Sequence, residues 1–110
     1  MTTEKKDIGT QLEWVVAKYL QPIEPFAIPS KNSERSDITS KLFRVECKRW
    51  SKKNVIIDKK IWDKILSQMT IEDTKIPILV QSNTSGDIFV SIRIDDFFRK
   101  FVYPAYLKED

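Results

Sequence analysis

Glu46 and Lys48 stand one residue apart in a stretch where apolar and polar residues alternate. Phe43, Val45 and Cys47 fall on one side, and Arg44, Glu46 and Lys48 on the other. A period of two marks a β-strand with one face on a core. It sets a carboxylate and an ammonium about 7 Å apart at their Cβ atoms. An acid and a base held this way suit a divalent cation and a phosphate; they suit an ordinary ion pair as well. The bare pattern acid-any-Lys discriminates nothing, because it starts at Glu4, Glu46, Asp58 and Asp73 in a chain with 32% charged residues. Only the copy at Glu46 lies in an alternating apolar strand that would hold it rigid.

Two further carboxylates can reach the same place. Residues 7–20 carry an apolar stripe at helical spacing (Ile8, Leu12, Val15, Val16, Tyr19, Leu20), with Asp7 in the first turn. Glu13 sits at the edge of that stripe, one turn after Gly9, whose missing side chain lets another backbone approach. Its plainer role is a boundary residue paired with a lysine. Asp37 opens a predicted strand over 37–39, after a short one over 25–28, and would face Glu46 across an antiparallel pair. It serves equally well as a turn residue.

The remaining elements must frame these groups. Asp58 is placed to N-cap a helix whose stripe is Ile61, Trp62, Ile65, Leu66 and Met69. A buried strand over 76–81 follows, then a turn around Gly86 and an alternating strand through Ile88, Val90, Ile92 and Ile94. Asp95 and Asp96 cap a last helix through Phe97, Phe98, Phe101 and Val102, which Pro104 ends. The predicted order is αβββαββα: one α/β domain over 1–110 with a mixed sheet of about five strands.

Composition removes whole chemistries. The chain has no histidine, so a Ser-His-Asp triad and a His-metal nuclease are excluded. One cysteine without histidine makes no zinc finger. Two glycines, Gly9 and Gly86, make no glycine-rich phosphate loop. Carboxylates, lysines and a hard metal ion with oxygen ligands remain. The single Cys47 forms no internal disulfide, which fits a cytoplasmic protein, and neither a membrane span nor a secretory signal is expected.

Net charge is +3, but residues 41–60 alone carry +6, from eight basic residues against Glu46 and Asp58. A basic block beside a structured acidic site suggests a polyanionic partner; a lysine-rich solvated loop would look the same.

The elements and motifs together resemble the PD-(D/E)XK nuclease superfamily, and within it the small archaeal-type Holliday junction resolvases. The residues that carry the likeness are Gly9-Thr10-Gln11-Leu12-Glu13, Ser36-Asp37-Ile38 and Val45-Glu46-Cys47-Lys48. The likeness departs at Asp37, which no proline precedes and which lies unusually close to Glu46. It implies a restriction-endonuclease-like core and a metal-dependent, structure-selective DNA endonuclease that hydrolyses phosphodiester bonds. Asp37, Glu46 and the Cys47 carbonyl would then ligate Mg²⁺ or Mn²⁺, with Glu13 as a further ligand and Lys48 stabilising the transition state. Lys31, Arg35, Arg49, Lys52 and Lys53 would contact phosphates, which position DNA without reading its sequence. No sequence-reading element is evident, so a branched substrate is expected. Two symmetric cuts imply a homodimer, with the apolar segment between Phe97 and Leu107 as its expected surface and no small-molecule cofactor. The alternatives are a nicking or restriction-like nuclease on unbranched DNA, a non-cleaving nucleic-acid-binding module of the same fold, and an interaction protein in which Glu46 and Lys48 merely pair.

Overall fold

A computed structural model describes residues 3–30, 36–69 and 74–107. The side chains of residues 3–10, Ile8 and Gly9 among them, lie outside the described set, as do Lys31 and Arg35. The chain is α/β. Helix α1 (Thr3–Leu20) is followed by strand β1 (Phe43–Arg49). Helix α2 (Lys59–Ser67) then crosses to β2 (Ile76–Ser82), and a tight turn leads to β3 (Ile88–Ile92). The sheet order is β1-β2-β3, with β1 and β2 parallel and β2 and β3 antiparallel.

Among the described residues the sheet has three strands, not the five expected. The segments over 25–28 and 37–39 form no ladder; a single bridge joins Pro29 to Ile38. Pro25 and Pro29 bring no N–H to a ladder, and Asp37 N donates to Val45 O instead. Glu24 accepts hydrogen bonds from Ser40 Oγ (2.5 Å), Lys41 N (2.6 Å) and Leu42 N (3.3 Å). Side-chain bonds thereby satisfy backbone donors in the turn that leads into β1.

The register explains the layers. Val45 lies beside Ile78, which lies beside Ile92, so Phe43, Val45, Cys47, Ile76, Ile78, Val80, Val90 and Ile92 share one face. Leu12, Val16, Ala17 and Leu20 of α1 pack there and, with Ala27 and Ile38, make the core. The opposite face carries Arg44, Glu46, Lys48, Leu79 and Gln81, and α2 covers part of it through Ile65. Being covered on both sides, β2 is apolar almost throughout. Pro77 is tolerated in this central strand because its missing N–H would point toward β3 beyond that strand's last residue.

Two helical expectations need correction. Tyr19 belongs to the predicted stripe but is 83% exposed. Of the α2 stripe only Ile65 is fully buried, with Ile61, Trp62, Leu66 and Met69 half-buried. Asp58 does cap α2, accepting from Lys60 N at 2.9 Å. At the C-terminus, Arg93 is the cap residue. Asp95 and Asp96 instead sit in the first turn of α3 (Ile94–Phe97) and pair with Arg99 and Arg93. Pro104 does not end the helix. The chain widens into a π-helical stretch (Phe98–Val102) and continues as α4 (Tyr103–Tyr106), with Pro104 in its first turn. A π-turn shifts the bonding register, which is how a helix absorbs a residue without an N–H. Among the described residues, no helix is long and apolar enough to cross a membrane.

Candidate functional site

Strand β1 is the edge of the sheet, and its outer side is where the acids gather. Residues 44, 46 and 48 direct their backbone groups toward β2, leaving those of 43, 45 and 47 to face outward. The segment at Ser36 and Asp37 docks against that outer edge. Asp37 N donates to Val45 O (2.8 Å), and Val45 N donates to Ser36 Oγ (2.8 Å). Cys47 N donates to Asp37 Oδ2 at 2.7 Å. Since a strand residue's N–H and C=O point the same way, the Cys47 carbonyl looks out on the side where the Asp37 carboxylate sits. Asp37 therefore neighbours Glu46, as expected, through loop docking rather than an antiparallel ladder.

Three carboxylates thus wrap one strand edge: Glu13 from the helix-α1 face, Asp37 from the side, and Glu46 from the α2 face. Their electrostatics register the convergence. Burial raises Glu13 above the ordinary carboxylate range, and the charges of Asp37 and Glu46 push it further. Burial also raises Asp37, against the opposing pull of the Cys47 N–H and Lys64. Burial likewise raises Glu46, outweighing a hydrogen bond from Lys64. The Cys47 thiol, enclosed and facing all three acids, is pushed far up and stays protonated. It makes a poor nucleophile, so what Cys47 can offer a site is its backbone.

The cations are arranged differently from the expectation. Lys48 does not pair with Glu46; its ammonium lies 5.3 Å from the Trp50 ring centroid, a cation–π contact. Trp50 is itself fixed by Nε1 donating to Oε1 of the buried Gln81 (2.6 Å). Lys64 of α2 takes the place beside Glu46, at 2.9 Å. Its hydrogen bond to Glu46, and then the Glu46 charge, raise its pKa. Nothing in the sequence marks Lys64, because its partner is eighteen residues away and only the α2 crossover brings the two together.

Among the described residues, no set of three or more Asp, Glu or Cys side chains closes into a ready-made metal cage. The donors are nonetheless of the type that hard divalent ions take, carboxylate oxygens and one backbone carbonyl. Their mutual repulsion is what a bound cation relieves. Glu46 is the group that would exchange Lys64 for the ion.

Of the expected phosphate contacts, Arg49 is exposed as the last residue of β1, and Lys52 and Lys53 are exposed in the loop beyond it. Their loop is pinned, since Thr84 N donates to Lys52 O (3.0 Å) and Asn83 Nδ2 to Lys53 O (2.8 Å). The lysine side chains therefore project from a fixed backbone. No family model, curated protein or solved structure matches the chain.

Proposed function

We propose that this protein is a metal-dependent DNA endonuclease of restriction-endonuclease-like type, acting on branched DNA such as a four-way junction. One observation carries the reading: Glu13, Asp37 and Glu46 arrive from three elements at the outer edge of β1, where the Cys47 carbonyl also points. A Mg²⁺ or Mn²⁺ ion held by Asp37, Glu46 and that carbonyl, with Glu13 beside them, would supply charge stabilisation at phosphorus and acidify a bound water.

The chain's own residues do the rest. The Cys47 N–H fixes the Asp37 carboxylate through Oδ2. Lys64 neutralises Glu46 while the site is free of cation. Lys48 projects from the Glu46 face on a flexible stem, so it can leave the Trp50 ring and meet charge developing on a phosphate. Arg49, Lys52 and Lys53 extend the basic surface that tracks the DNA backbone.

The Lys64–Glu46 pair and the Lys48–Trp50 contact favour a second reading, a nucleic-acid-binding module that does not cut. One experiment separates the two. A four-way junction and a linear duplex of equal length are incubated with protein and Mg²⁺, and the products are resolved on denaturing gels. The nuclease cuts the junction in preference to the duplex, and Glu46→Gln and Lys48→Ala stop cutting while binding persists. Salt-sensitive binding without cleavage in either Mg²⁺ or Mn²⁺ would leave only the module.

A further inference from the structure

Strand β3 ends the sheet opposite the candidate site, and its sequence is complementary to itself. The run Asp87-Ile88-Phe89-Val90-Ser91-Ile92-Arg93 places an acid at one end and a base at the other, equidistant from Val90. Antiparallel pairing of two copies about Val90 sets Ile88 against Ile92, Phe89 against Ser91, and Asp87 against Arg93 of the other chain. Both ends of the pairing then carry opposite charges.

The backbone agrees with this register. Asn83 N donates to Asp87 O, so residues 87, 89 and 91 turn their polar groups toward β2 and residues 88, 90 and 92 turn theirs outward. Ile76 N bonding Leu42 O and Ser82 O accepting from Trp50 N fix the same parity on β2, since these even-numbered residues point to β1. In a pairing centred on Val90, each even-numbered residue faces another even-numbered one, so all the outward N–H and C=O groups of both strands find partners. A shift by one residue would match none of them.

The edge lacks the devices that keep single sheets apart. β3 holds no charged residue, proline or bulge between its ends. Ile88 is 46% exposed and Val90 59%. Both line an open apolar groove of about 580 Å³ between α1, the sheet and the C-terminal helix, together with Phe97 and Phe101. Arg93 spends its Nε on Asp96 (2.9 Å) and Asp87 spends Oδ2 on Asn83 (3.1 Å), which leaves the terminal guanidinium nitrogens and Oδ1 for the other chain.

We propose that two copies of this chain join β3 to β3 about a two-fold axis at Val90, forming one six-stranded sheet. Growth stops there because Ser36 and Asp37 occupy the other edge, at β1. The dimer stands on sheet geometry alone. Its consequence for cleavage rests on the nuclease reading: the two β1 strands would lie five strand spacings apart, roughly 24 Å.

Sedimentation equilibrium from 1 to 100 μM, with circular dichroism as the check on folding, tests this. The wild-type chain is expected to be a dimer. Asp87→Arg and Arg93→Asp each turn two attractions into two repulsions and should weaken association about tenfold or more. The double variant Asp87→Arg/Arg93→Asp restores complementarity and should restore the dimer. On wild-type protein, hydrogen exchange supplies an independent reading: protection of the Ile88, Val90 and Ile92 amides should rise with concentration. A monomer at 100 μM, a dimer indifferent to either single swap, or rapid exchange of these amides at every concentration overturns the proposal. A dimer that cuts no DNA would defeat the nuclease reading and leave this one standing.

Discussion

Asp37 carries two separable roles, and two substitutions pull them apart. Its Oδ2 accepts the Cys47 N–H at 2.7 Å in a half-buried position, and its charge raises the pKa of Glu13. Asp37→Asn keeps an acceptor and deletes the charge. A hydrogen bond to an ionised acceptor is worth about 1.5–3 kcal/mol and one to a neutral acceptor about 0.5–1.5, so the exchange costs about 1 kcal/mol. Burying an amide instead of a carboxylate among other acids offsets part of that. Metal-free Asp37→Asn should therefore stay within about 1 kcal/mol of wild type. Asp37→Ala leaves the Cys47 N–H without its acceptor, at a cost of about 1–3 kcal/mol. The Asp37 N to Val45 O bond survives in both variants, so the segment stays docked. Urea denaturation monitored by Trp fluorescence measures the difference, which in thermal melts amounts to roughly 4–8 °C per kcal/mol for a domain near this size. Equal losses in Asn and Ala would refute the claim that the Cys47 bond is what fixes this carboxylate.

Protonation should act on the same pocket with a definite sign. The folded-state pKa of Glu13 is raised above its ordinary 4.5, so the stability linked to this group is full below that value and is lost as pH rises through the elevated one. Metal-free protein should therefore lose stability as pH rises above about 4.5, and Glu13→Gln should flatten that part of a plot of urea midpoint against pH; an unchanged slope would contradict the coupling. Glu24→Ala strips the acceptor from Ser40 Oγ and the Lys41 N–H, while Leu42 N keeps Ser40 Oγ, and should cost about 3 kcal/mol in the same denaturation assay. A loss under 1 kcal/mol would mean that Glu24 does not hold the segment leading into β1.

The parts of the fold governed by short-range pattern were legible in the sequence. The alternation at Phe43, Val45 and Cys47 marks β1 and assigns its faces correctly, and Asp58 announces the start of α2. The turn at Gly86, with φ of 85°, follows from the one residue type that takes that backbone without strain. Where partners are distant in sequence, the pattern was silent. Nothing local marks Glu24, between Ile23 and Pro25, for burial, yet it is buried and holds residues 40–42. Pro104 reads as a stop because the local rule omits the π-turn that absorbs it. The site was half legible. Glu13 announces itself by its place on the edge of a stripe, and Glu46 by its strand. Lys64 and the turning of Lys48 onto Trp50 depend on the crossover of α2 and on Gln81, thirty-one residues from Trp50.

The central claim is that three carboxylates and one carbonyl at the outer edge of β1 form a site for a divalent cation. Isothermal titration of Mn²⁺ into the metal-free protein at neutral pH tests it without DNA. A saturable binding event, abolished by Asp37→Asn and by Glu46→Gln while both variants remain folded, is the expected result. Absence of binding in the wild-type chain, or affinity unchanged in both variants, would contradict it.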